Sequence, residues 1–140
     1  MLKKKTLFFA LASVVTLSSS FYINALATDD NISFNFRVPS YQSNGHEATG
    51  QYRQTTHTDN QWKVKLLKSG EGKGTITKFW LENKNDTNVS KTVNAKQGSG
   101  PYYKDAYKSA SQINVWLTAE NNNFNGDSYN VSGNWDEETW

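Results

Sequence analysis

The chain has no cysteine, two prolines and one methionine in 140 residues. Without cysteine there is no disulfide scaffold, no Cys-ligated zinc finger, no iron–sulfur site and no thiol nucleophile. Charge is also sparse. Charged residues make up 20% of the chain and the formal net charge is +2, so it reads neither as a charged disordered segment nor as a strong polyanion binder. Long apolar runs are missing beyond the N-terminus, where no stretch is apolar enough to span a bilayer. The length fits a single domain.

What is present begins with an address. Lys3, Lys4 and Lys5 form a cationic start, Thr6 to Val15 is mostly apolar, and Ala25-Leu26-Ala27 supplies an A-x-A cleavage pattern. Ser18, Ser19, Ser20 and Asn24 interrupt the apolar run too early for a membrane anchor, which needs roughly 20 apolar residues. No cysteine follows it, which excludes a lipoprotein anchor. The expectation is a cleaved signal peptide over residues 1–27 and a secreted, extracellular domain over 28–140.

Cleavage changes the charge. Removing the three lysines leaves 12 basic against 13 acidic groups, a formal −1. Gln61 to Lys108 holds ten lysines and Ser109 to Trp140 none, with Asp136-Glu137-Glu138 near the end. This asymmetry can steer a protein toward an anionic surface. The plainer reading is that each lysine flanks an apolar strand residue and keeps a sheet face soluble.

Alternation with period two dominates the rest. Ile32, Phe34, Phe36 and Val38 alternate with polar residues until Pro39, and Trp62, Val64 and Leu66 alternate with Lys63 and Lys65. Successive strand side chains point to opposite faces, so such runs have one apolar and one wet face. Thr75 to Glu82 is rich in β-formers but of mixed parity, which a bulge or burial on both faces would explain. A weaker strand spans Thr87 to Lys96. Tyr103, Ala106, Tyr107 and Ala110 recur at helical spacing, enough for one or two turns. Ile113, Val115, Leu117 and Ala119 mark the clearest strand, and Tyr129, Val131, Gly133 and Trp135 the last. Asn125-Gly126 between them is a hairpin signal. Tyr41 to Asn60 reads as a long loop with an edge strand around Gln51 to Thr56. The predicted architecture is all-β: a single antiparallel β-sandwich of six to seven strands, with a small closed barrel as the alternative.

Several words in the second half carry a resemblance: Arg53-Gln54-Thr55, Trp62-Lys63-Val64, Ser69-Gly70-Glu71-Gly72, Phe79-Trp80-Leu81 and Lys96-Gln97-Gly98-Ser99-Gly100. Ala119-Glu120-Asn121-Asn122 and Ser132-Gly133-Asn134-Trp135-Asp136-Glu137-Glu138 complete the series. Over Gln51 to Trp140 the chain resembles an uncharacterised family of small Sec-exported Gram-positive proteins ending in a Ser-Gly-x-Trp-Asp-Glu-Glu motif. It is also similar, more weakly, to secreted β-sandwich bacteriocins of the lactococcin type. That likeness implies action on neighbouring bacteria at the cell-wall precursor, and it transfers no binding residue.

Catalytic signals are weak. His46 and His57 sit in turn-like sequence at a spacing that matches no ligand motif, so both read as solvated. No Gly-x-Ser-x-Gly elbow occurs. Glu120, Asp136, Glu137 and Glu138 are the carboxylates available for glycoside hydrolysis, yet an acidic run at a C-terminus usually forms a solvated end. With Asn121 to Asp127 these acids suggest calcium, but their spacing fits no calcium loop. The expectation is no catalytic residue, no metal and no cofactor.

Aromatic residues are the stronger signal. Trp62 and Trp135 share the parity of the core positions, whereas Trp116 falls opposite Ile113, Val115 and Leu117, beside Asn114 and Thr118. Trp80 is ambiguous. Tyr102, Tyr103 and Tyr107, near Lys104 and Lys108, form a second cluster. Trp80, Trp116, Tyr102, Tyr103 and Tyr107 are therefore the candidate ligand-binding residues, since aromatic planes on a polar sheet face stack on sugars. Packing beneath lysine stems or a loop is the competing reading. Export and the charge of −1 argue against nucleic acid. The expected function is a secreted, non-enzymatic protein binding cell-wall glycan or precursor at a bacterial surface, with a bacteriocin-like antimicrobial as one form of it. A secreted glycan hydrolase using the C-terminal carboxylates, and an inert matrix protein, stay open as alternatives.

Overall fold

The computed structural model describes residues 29–140, so the expected signal peptide over 1–27 lies outside the described residues. Two antiparallel sheets pack face to face. The first runs β1 (Ile32–Val38), β9 (Tyr129–Asp136), β4 (Trp62–Ser69), β7 (Tyr102–Lys104). The second runs β2 (Gly45–His46), β8 (Ile113–Asn121), β5 (Ile76–Glu82), β6 (Val93–Lys96), and β3 (Gln51–Arg53) shares the β2 edge of β8.

Alternation decides which side chains meet between the sheets. Phe34, Phe36 and Val38 of β1, Val115, Leu117 and Ala119 of β8, and Tyr129, Val131 and Trp135 of β9 are all buried. A register slip by one residue would turn each set outward, so the pattern fixes the register. Phe34 meets Phe79 of the opposite sheet edge to face at 5.7 Å between ring centroids. The Tyr129 hydroxyl and Thr77 Oγ1, 2.9 Å apart, hydrogen-bond across the same interior.

The structure revises several local expectations. The described residues form nine strands rather than six or seven, because β2 and β7, of two and three residues, arise where sequence pattern is thinnest. The mixed parity of β5 comes from burial on both faces: Thr77, Phe79 and Leu81 point inward, while Trp80 and Glu82 are covered on the outside. The bulge lies in β4 instead, where the register to β9 shifts between Leu66 and Lys68. The Thr87 to Lys96 strand shortens to β6, preceded by the isolated bridges Glu82–Asn88 and Ser90–Ala106. The helical spacing from Tyr103 to Ala110 gives β7 and a single 3-10 turn at Lys108–Ala110, since strand pairing to β4 claims Tyr102–Lys104. Asn125-Gly126 closes no hairpin either. β8 and β9 lie in different sheets, and the loop carries the chain from one layer to the other.

Gly133 lets β4 approach β9. A Cβ there would stand 1.9 Å from the Lys65 carbonyl oxygen and 2.9 Å from the Phe34 ring. Gly133→Ala is expected to cost about 2 kcal/mol through overpacking, read as a lower urea midpoint. An unchanged midpoint would refute the close-approach argument.

Candidate functional site

The outer face of the second sheet carries the site. Antiparallel register places Trp116 opposite Glu82, Thr118 opposite Trp80 and Glu120 opposite Lys78, and β2 adds His46 opposite Thr118. These are the wet-face positions of β8 and β5, so the alternation that buries Leu117 and Phe79 also lines up this row.

Glu82 is its centre. It is buried, at 3% exposure, on the outward face of the sheet. Its Oε1 accepts hydrogen bonds from Trp80 Nε1 at 2.8 Å and Asn44 Nδ2 at 3.1 Å. Its Oε2 accepts one from Thr118 Oγ1 at 3.2 Å and lies 3.3 Å from His46 Nδ1. A buried carboxylate is tolerated only when its lone pairs are taken in this way. β5 ends at Glu82, and Asn83 sets the turn that follows: its Oδ1 accepts from the backbone N–H of Asn85 and Thr87. The turn returns Asp86, at φ +55°, to the neighbourhood of Glu82 and His46.

Trp116 is half-buried and stands between two open grooves. One, of about 280 Å³, is lined by His46, Glu47, Glu82 and Asp86; the other, of about 400 Å³, by Asn85, Ser109, Ile113 and Asn114. Asn83 and Lys84 border both. Gly50 backs the indole, and a Cβ at that position would come within 2.5 Å of the ring. The chain belongs to the DUF2712 family. Residues 19–139 match this family, described as proteins of unknown function. No curated protein and no solved structure matches the chain.

The DUF2712 structure separates the aromatic residues picked out from sequence. Trp80 and Trp116 share the outer face of the second sheet, with Trp80 covered and serving to hold Glu82. Tyr102 and Tyr103 lie on β7 of the other sheet, and Tyr107 precedes the 3-10 turn. Tyr103 and Tyr107 are exposed, while Tyr102 packs on the core with its hydroxyl 2.7 Å from Ser99 Oγ. None of the three borders the grooves beside Trp116.

The acidic end is a correction. Asp136, Glu137 and Glu138 are buried rather than solvated. Asp136 accepts from the Asp30 backbone N–H, and Glu138 accepts from those of Gln54 and Thr55. Arg53, 1% exposed, donates to the carbonyls of Glu137, His57 and Asn60. Burial, with Asp136, Glu138 and Asp30 nearby, raises the Glu137 carboxyl to about 7. Lys63 likewise departs from the role of soluble flank: it is buried and paired with Asp29. His46 Nδ1 is not simply solvated, given its position beside Glu82.

Sequence reading found Trp116 by parity. It missed His46, Glu82 and Asp86 as a group, because β2, β5 and the turn after β5 meet only through the pairing of β8 with both strands. The one local hint was a glutamate in a strand whose two faces both read as apolar.

Proposed function

We propose that this is a secreted, non-enzymatic protein that binds cell-wall glycan at a bacterial surface through the outer face of the second sheet. The observation that carries the reading is the Trp116 indole, half-buried between two grooves on a polar face and backed by Gly50. Sugars present C–H faces that stack on an indole and hydroxyl rims that need planar donors and acceptors. Asn83, Asn85 and Asn114 supply amides around the ring, and the exposed Asp86 supplies a carboxylate. Groove volumes of this order suit small polar ligands.

The C-terminal acids fit chain closure better than hydrolysis. A glycosidase needs two carboxyl groups facing a substrate space, whereas Asp136 and Glu138 are engaged by backbone N–H groups and Glu137 lies under cover.

Purified protein should sediment with isolated bacterial cell walls, and Trp116→Ala should weaken that binding by at least about tenfold, as loss of a central aromatic anchor does. Its melting temperature should stay near that of the parent, because Trp116 lies outside the core cluster. Equal wall binding by Trp116→Ala would sink the reading. Growth inhibition of related strains by the parent, lost in the same variant, would identify the bacteriocin-like form of it.

A further inference from the structure

His46, Glu82 and Asp86 each direct one ligand atom into a common notch, and these atoms all lie within 4.8 Å of one another. His46 Nδ1 and Glu82 Oε2 are 3.3 Å apart. Two ligands on a tetrahedral ion with bonds of about 2.0–2.1 Å are separated by roughly that distance. Glu82 is held in advance: Trp80 Nε1 and Asn44 Nδ2 donate to Oε1, and Thr118 Oγ1 donates to Oε2, which also lies beside His46 Nδ1. Such outer hydrogen bonds are what orient a ligating carboxylate. The charge balance favours a cation as well, with Glu47, Glu82 and Asp86 on the groove against Lys84.

We propose that this notch binds one divalent transition-metal ion of the zinc class. His46, Glu82 and Asp86 are the ligands, and the open coordination position faces the groove beside Trp116. Imidazole with carboxylate selects zinc-like ions, whereas calcium prefers six to eight oxygens and gains little from a ring nitrogen. The inference goes beyond glycan binding and does not depend on it.

Isothermal titration of the purified protein with zinc chloride should give one site per chain, and calcium or magnesium chloride should give no comparable heat. Cobalt(II) should develop the visible absorption of a four-coordinate site with the same stoichiometry. His46→Gln and Asp86→Asn alter exposed side chains and should each weaken zinc binding by at least about tenfold, with far-ultraviolet circular dichroism unchanged. His57→Gln, outside the notch, should bind as the parent does. Zinc uptake that persists in both notch variants, or that disappears in His57→Gln, would overturn the assignment, as would the absence of any one-to-one site. Trp116→Ala should retain zinc, so a failure of wall binding and a failure of metal binding are told apart.

Discussion

Arg53→Met should lower stability by about 3–5 kcal/mol, the range for breaking a buried charge network from one side. For a domain near 110 residues this is a fall in melting temperature of roughly 10–20 °C. The guanidinium is the hub of the C-terminal clasp. It donates to the backbone carbonyls of His57, Asn60 and Glu137, and its charge faces Glu138, Glu137 and Asp136. Methionine keeps most of the stem volume but leaves three carbonyls without their donor and removes the charge that faces Glu138 most strongly, with Lys63 remaining beside Asp136. Each orphaned polar group costs about 1–3 kcal/mol. Asn60 holds the other side of the clasp, its Oδ1 accepting from the backbone N–H of Thr139 and Trp140. It cannot replace the lost charge. Scanning calorimetry is the check, and a variant within about 1 kcal/mol of the parent would mean that the acids need no cation.

Stability should fall as pH rises from about 4.5 to about 8, with Glu137 as the main cause. Its carboxyl titrates near 7 in the fold against 4.5 unfolded, first because it is buried and then because Asp136, Glu138 and Asp30 lie close. Its Oε2 is buried with no hydrogen-bond partner among the described residues. A raised carboxyl means that the folded state holds a proton which the unfolded chain has released. The contribution is therefore whole below pH 4.5 and is lost as pH passes through 7. At about 1.4 kcal/mol per pKa unit the swing reaches about 3 kcal/mol, and partial water access reduces it to about 2–3. Burial pushes Asp136 in the same direction. Glu137→Gln should match the parent near pH 4.5, exceed it by about 2 kcal/mol at pH 8 and flatten the profile. Chemical denaturation at the two pH values decides it. A parent whose stability rises over that interval would contradict the assignment.

These two effects arise in a segment whose sequence suggested a solvated tail, and the reason is general. The composition of Asp136-Glu137-Glu138 says only that three carboxyl groups need solvation or partners. That the Arg53 charge and the N–H groups of Gln54 and Thr55 lie against these acids depends on β3 pairing with β8 and on β9 ending beside them. Some 80 residues of chain separate the two sides.

Sequence alone determined the all-β class, the inward faces of β1, β8 and β9, the core positions of Trp62 and Trp135, and the outward face of Trp116. All of these follow from alternation along one strand, a local property that backbone pleating imposes. Tertiary structure alone decided that β8 and β9 lie in separate sheets, that Trp80 holds Glu82, that His46 and Asp86 join it, and that Arg53 closes the C-terminus. Each of those depends on which strands become neighbours. Strand pairing is set by the summed burial of both sheets, and no single stretch of residues encodes it.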